Sequence, residues 1–334
     1  MKLMVVTDAW APQVNGVVTT LRTIGEHLDR RGNIVEFLAP GQFASIACPT
    51  YPEIRLSVLP YRQLEVRIDV FQPDALHIAT EGPLGIAARH YCLRRGHGFT
   101  TAYHTRFPEY VHARIRLPVA LTYRWLRHFH ESAEALMVPT PAIRRDLEQR
   151  GFRNTVPWTH GVDIDRFCPG PRDCLDTPRP IFLYVGRVAV EKNIEAFLQL
   201  DLPGSKWVVG EGPLKARLER RHPDVHFAGI QTQEELAGFY RAADVFVFPS
   251  LTDTFGLVML EALACGTPVA AFPVTGPIDV IGDHPVGALD RDLRAACLRA
   301  LDISGSEARS FAEGFSWDES VRQFESYLAP IKFA

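Results

Sequence analysis

Short apolar runs separated by amphipathic stretches recur along this chain. In the first half, runs at 2–7, 34–39, 74–79, 99–104 and 135–139 read as strands, and the stretches 17–30, 84–95, 118–132 and 141–150 read as helices. Near residue 181 the pattern begins again, with PIFLYVG, KWVVG (206–210), VHFAG (225–229), DVFVFP and PVAAF (268–272). Strands without polar alternation, alternating with helices, predict parallel sheets covered on both faces. The restart predicts two such α/β domains, and 334 residues are more than one core comfortably supports. A hydrophobic content of 46% with 22% charged residues suits a globular protein. No apolar run reaches eighteen residues, and MKLMVVTDAW turns polar too soon for a signal-peptide core. The six cysteines lack metal-ligand spacing and are expected to be free thiols.

Candidate chemistry concentrates in 249–271, PSLTDTFGLVMLEALACGTPVAA. A strand ends near Pro249-Ser250, a loop carries Asp253, Thr254, Phe255 and Gly256, and a helix starts at Leu257, with Gly266 as its stop. Open α/β sheets bind ligands at such a loop, where backbone N–H groups of Phe255, Gly256 and Leu257 would face them. Glu261 lies among Leu260, Ala262 and Leu263, where a carboxylate costs several kcal/mol unless it is paired. A ribose offering two hydroxyls would suit it. The alternative is that Asp253 caps the helix and Glu261 pairs with an arginine; this segment alone leaves both open.

A second cluster, YVGRVAVEKN (184–193), follows the strand at 181–185. After Gly186, Arg187 can fork onto phosphate oxygens and Lys192 can add a compact charge. The loop VVGEGPLK (208–215) carries Gly210 and Gly212 but is not a dinucleotide fingerprint, because Lys215 stands where a third glycine belongs. In the first loop, Asn15, Gly16 and Val17 precede a helix, and His104 closes a strand in TAYHTRFPEYV, followed by Glu109 and Tyr110. Asp163 and Asp165 imitate a metal-binding Asp-x-Asp.

Charge is divided unevenly: residues 1–150 carry 18 Lys+Arg against 14 Asp+Glu, and the remainder 18 against 25. The stretch 103–130 holds Arg106, Arg114, Arg116, Arg124 and Arg127 against Glu109, interleaved with aromatics such as Trp125. Basic and amphipathic together, it reads as a surface for anionic lipid. A solvated helix face over a core stripe is the plainer alternative. No nucleic-acid motif accompanies the arginines, so nucleic acid is not expected as a partner.

Asp253 and Glu261 around a Phe-Gly step, the downstream EALACGTPV and the Gly-Arg…Glu-Lys-Asn cluster together resemble retaining glycosyltransferases of family four, over residues 1 to about 320. That family commonly has Glu where Asp253 stands and Gly-Gly where Asn15-Gly16 stands. The resemblance implies a GT-B architecture of two Rossmann-like, doubly wound domains facing a cleft: 1–160 for the acceptor, 161–312 for the nucleotide sugar, and 313–334 returning to the first. It implies that Arg187, Lys192 and Gly16 hold the diphosphate, Gly210 and Gly212 line the base pocket, and His104 contacts the donor sugar. Gly-Val-Asp at 161–163 belongs to the interdomain connection, and no metal or other cofactor is required. Family members that make glycosyl diacylglycerols or mannosylated phosphatidylinositol share a basic N-terminal domain. The expected reaction therefore moves a hexose from a UDP-sugar, or from GDP-mannose, to diacylglycerol. The expected place is the cytoplasmic face of the cell membrane, peripherally attached. A polysaccharide-building transferase and a sugar-nucleotide epimerase of the same architecture are the alternatives.

Overall fold

The apolar runs become parallel strands. A computed structural model describes residues 1–13, 15–48 and 51–333, with backbone alone at 51–53 and 113–114. The chain divides into two units, one formed by Met1–Thr159 with residues from Asp318 onward, the other by His160–Trp317.

The first unit runs β1 (Lys2–Val6), α1 (Gly16–Arg30), β2 (Ile34–Leu38), a hairpin of β3 (Ser45–Cys48) and β4 (Tyr51–Ser57), α2 (Tyr61–Phe71), β5 (Ala75–Ile78), α3 (Pro83–Arg95) and β6 (Thr100–Ala102). It continues through α4 (Phe107–Ile115), α5 (Val119–His130), β7 (Ala135–Val138), α6 (Pro141–Gln149) and β8 (Thr155–Pro157). Six strands form a parallel sheet in the order β2-β1-β5-β6-β7-β8, with Val6 in register with Leu38 on one side and Ile78 on the other. Leu3, Met4, Val5 and Val6 are buried, so β1 is covered on both faces, as its uninterrupted apolar run predicts. Burial of each such side chain stabilises the sheet by about 1.5–3 kcal/mol.

The second unit runs β9 (Ile181–Val185), α7 (Ile194–Leu198), β10 (Ser205–Val209), α8 (Lys215–Arg221), β11 (Val225–Gly229), α9 (Gln233–Ala242), β12 (Val245–Phe248) and α10 (Leu257–Ala264). It ends with β13 (Val269–Ala271), α11 (Pro277–Val280), β14 (Gly287–Leu289), α12 (Leu293–Ala300) and α13 (Gly305–Ala312). Its sheet order is β11-β10-β9-β12-β13-β14, again parallel throughout. Helix α14 (Trp317–Tyr327) begins at the unit's last residue and lies otherwise in the first unit. There the Trp158 indole donates to Ser320 O (3.1 Å), and Arg31 reaches Glu325 (2.8 Å) and Asp318 (3.0 Å).

Each sheet reverses its winding once, between β1 and β5 in one unit and between β9 and β12 in the other. Crevices outside the carboxyl ends of strands at such reversals are where this class of sheet receives ligands.

The basic stretch 103–130 is divided: Arg116, in the left-handed region at φ +56°, ends α4, and Pro118 restarts the chain into α5, within the helix expected at 118–132. His104 does not close a strand, because β6 stops at Ala102.

Candidate active site

At the reversal in the second unit, the loop after β12 turns into α10 at Gly256 (φ +90°). A Cβ there would lie 2.8 Å from the Met259 methyl, which explains the glycine, and no side chain among the described residues caps the helix. Asp253 is therefore not the cap. Its Oδ1 receives the Lys192 ammonium, while Oδ2 is buried with no hydrogen-bond partner among the described residues. Two more bonds join the same loops: Asn193 Nδ2 donates to Pro249 O (3.0 Å), and Thr252 Oγ1 to Glu191 O (3.3 Å). The cationic loop after β9 and the acidic loop after β12 thus form one structure.

Glu261 sits one turn into α10, half-buried. Among the described residues no cation forms an ion pair with it; instead the Tyr240 hydroxyl donates to its Oε2 at 2.8 Å. Burial pushes its carboxyl up to about 7, against the opposing pull of the Tyr240 bond and the Arg166 charge. Neither half of the structural alternative for this segment is realised. The helix stops as the glycine signal predicts, with Gly266 N–H bonded to Leu263 O and Thr267 N–H to Ala262 O, both 2.9 Å.

Arg187 is half-buried, its guanidinium 3.9 Å from the Glu191 carboxylate and its carbonyl bonded by the Tyr184 hydroxyl at 2.7 Å. At Gly210 (φ +134°) a Cβ would come within 2.0 Å of Gly186 O, so the loops after β9 and β10 meet backbone to backbone. Gly212 lies in the same way against Val188 O. Thr254 and Phe255 are buried and Leu257 half-buried, with the Phe255 ring edge-on to His160 (5.0 Å). Asp163 accepts from Arg166 N (3.1 Å) and pairs with the Arg166 side chain (3.2 Å), a local structural bond. No cluster of three or more potential metal ligands occurs among the described residues.

In the first unit, Asn15 caps α1 by accepting from Val18 N at 3.0 Å; Gly16 is exposed and Val17 half-buried. His104, half-buried, packs edge-on to Trp158 at 5.5 Å. Glu109 Oε1 accepts from the Tyr123 hydroxyl (2.9 Å) beside Arg106 (3.6 Å), and its Oε2 is buried without a hydrogen bond among the described residues. Tyr110 is half-buried on α4, while Arg116, Arg124, Trp125 and Arg127 are exposed. The Arg114 side chain lies outside the described residues.

Sequence reasoning passed over Asp8, Glu81, His130 and Tyr240. Asp8 follows β1 directly, and its carboxylate accepts from Leu84 N (2.9 Å), Gly85 N (3.3 Å) and Thr80 Oγ1 (3.0 Å), capping α3 across the reversal. Burial still raises it to about 6. Glu81 accepts from or faces His130 Nε2 at 3.1 Å, and His130 Nδ1 meets Thr101 Oγ1 at 3.0 Å. The legible signal was an acid directly after an apolar strand. Tyr240 carried none, since it reads as one more core aromatic.

Two family profiles match the chain, one described as glycosyl transferases group 1 over residues 179–302, the other as glycosyltransferase family 4 over residues 14–166. A GDP-mannose-dependent alpha-mannosyltransferase of Mycobacterium tuberculosis (strain CDC 1551 / Oshkosh) is 31% identical over 316 residues, covering 86% of this chain and 83% of that protein. The alpha-monoglucosyldiacylglycerol synthase of Streptococcus pneumoniae is 26% identical over 349 residues, covering 90% and 78%. A solved sucrose-phosphate synthase from Thermosynechococcus elongatus superposes with a TM-score of 0.77 at 22% identity, covering 97% of each chain. That likeness carries the GT-B fold.

Proposed function

The chain belongs to glycosyltransferase family 4, a retaining family, and from that premise we propose that it moves a hexose from a nucleoside diphosphate sugar to a lipid acceptor, diacylglycerol, at an anionic membrane surface. The observation that carries the donor half is the joining of the 187–193 loop to the 249–254 loop through Lys192 and Asp253. It sets a cation for phosphate beside an acid with an open, buried oxygen. In this reading Glu261 accepts the ribose hydroxyls and Asp253 Oδ2 accepts a hydroxyl of the sugar. Gly210 and Gly212 flank the base, and Gly186, Gly256 and neighbouring N–H groups receive phosphate and sugar. Arg187 and Lys192 balance charge growing on the departing diphosphate, the largest electrostatic contribution to such a transfer. No metal is invoked.

Lys192 would exchange Asp253 for phosphate as the donor enters. The bond from the anomeric carbon to the diphosphate oxygen breaks while the bond to the acceptor oxygen forms on the same face. The acceptor proton passes to the leaving diphosphate. His104, assigned to the donor sugar, and Glu109 and Tyr110, assigned to the acceptor, complete the set.

The lipid acceptor is supported by the exposed residues of α4, α5 and the turn between them. Ile115 (68% exposed), Leu121 (53%) and Trp125 (39%) are exposed on the same segment as the exposed Arg116, Arg124 and Arg127, a combination suited to anionic headgroups. No helix among the described residues is long and apolar enough to cross a membrane. The monoglucosyldiacylglycerol named for the pneumococcal relative points the same way, and the 31% identical relative makes GDP-mannose the first donor to test, with UDP-hexose beside it. The test is nucleotide release from GDP-mannose and UDP-glucose, with and without vesicles of diacylglycerol in anionic phospholipid, and chromatography of the lipid. Vesicle-stimulated release with a new glycolipid supports the reading. Release that ignores vesicles replaces the lipid with a saccharide acceptor, and no release from either donor removes the proposed donors.

A further inference from the structure

Glu261 is an unusual carboxylate. It lies in an apolar stretch of α10 and makes no ion pair among the described residues; its one side-chain hydrogen bond there comes from Tyr240. Tyr240 is fully buried on α9, twenty-one positions earlier in the chain. Its ring is fixed edge-on by Phe167 (5.9 Å) and Phe246 (5.6 Å), and its carbonyl accepts from Thr267 Oγ1 (2.6 Å). The phenol therefore has little freedom, and its proton points at Glu261 Oε2. A phenol proton satisfies only an oxygen that accepts, so a proton on Glu261 is driven to Oε1, the oxygen Tyr240 leaves free. At low pH the free oxygen would then donate, and the two ribose hydroxyls would lose an acceptor.

We propose that Tyr240 is a positioning residue for donor binding: its hydroxyl holds Glu261 Oε2 and keeps the carboxylate ionised and turned with Oε1 toward the ribose. This rests on the assignment of Glu261 to the ribose. The groups acting on Glu261 are Tyr240 from α9, Cys265 on its own helix and Arg166 from the segment before β9. Burial holds Tyr240 well above its ordinary value and pushes Cys265 up to about 12, so neither changes charge near neutrality. Glu261, pushed up to about 7, does.

The test is calorimetric binding of GDP-mannose and UDP-glucose from pH 5.5 to 8.5 by the full chain and by Tyr240→Phe and Glu261→Gln. A nucleotide sugar is used because its esterified diphosphate does not titrate in this range. Wild type should bind more weakly as pH falls through about 7. In Tyr240→Phe, which keeps the packed ring, the midpoint should move up by about one pH unit or more, as expected for losing a hydrogen bond to a charged group. Below both midpoints the variant should therefore bind about tenfold more weakly than wild type. Superimposable wild-type and Tyr240→Phe curves overturn the proposal, as does a uniform loss with no shift, which would mark a merely structural tyrosine. Glu261→Gln tests the underlying assignment separately. It should bind weakly without this pH dependence, and wild-type affinity in that variant would remove the ribose role itself.

Discussion

The two sheets reverse their winding in the same way, yet the acids at the two reversals are used differently. Beside β1, Asp8 accepts from Leu84 N, Gly85 N and Thr80 Oγ1, so its lone pairs are consumed by the fold. Beside β12, Asp253 and Glu261 each hold one donor among the described residues and leave an oxygen over. Location at a switch point thus marks where a ligand can bind. Unsatisfied valence is what separates the acids at the second reversal from the one at the first.

The largest effect that could break this contrast is catalytic. Lys192→Ala should lower turnover by roughly 10²–10³-fold, the size of losing one charge-stabilising donor. The thermal midpoint should barely move, since a partly exposed pair contributes only about 0–1 kcal/mol. Parallel losses in rate and melting temperature would make Lys192 structural. Next, Asp8→Ala should cost about 1–3 kcal/mol by orphaning the start of α3, read from urea unfolding, while leaving nucleotide-sugar affinity unchanged. A large loss of donor affinity in that variant would erase the distinction between the two reversals.

A pH series sharpens it further. Asp8 and Glu261 are raised from 3.8 to about 6 and from 4.5 to about 7, so each binds its proton more tightly folded than unfolded. Their contribution is complete below about pH 4 and is lost as pH rises through about 6 for Asp8 and about 7 for Glu261. Between pH 8 and pH 5, wild type should therefore gain on Asp8→Asn, and on Glu261→Gln, by of order 1–2 kcal/mol. Bound donor should abolish the gain for Glu261 and spare it for Asp8. The smallest effect is Asn15→Gly, which trades the α1 cap for the residue common in the family and should cost only about a few tenths of a kcal/mol. An altered KM for the donor would show that Asn15 does more than cap.

Much of this was legible beforehand. Strands β9 and β12 are buried at every position and β1 at all but Lys2, so burial wrote itself into the sequence as unbroken apolar runs. The β3–β4 hairpin escaped because it lies outside the parallel sheets, with exposed positions such as Ile46, and β8 and β14 are only three residues long. At the site, Asp253, Lys192 and Glu261 were marked by charge against an apolar background. Their mutual arrangement was not, because the Lys192–Asp253 and Tyr240–Glu261 contacts close over 61 and 21 residues, beyond any local periodicity.

The second unit leaves and re-enters the first at adjacent points. Val162 N donates to Phe315 O at 3.1 Å, and Gly161 lies against the Trp317 backbone so closely that a Cβ would meet it at 2.3 Å. Residues 160–317 are therefore a closed insert with its ends clasped, a cassette rather than a tail. A module of this kind can be exchanged between hosts without lengthening either junction, provided residues from Asp318 onward stay with the host. Recombination that respects the clasp carries Lys192, Asp253, Tyr240 and Glu261 across together, with their mutual contacts intact.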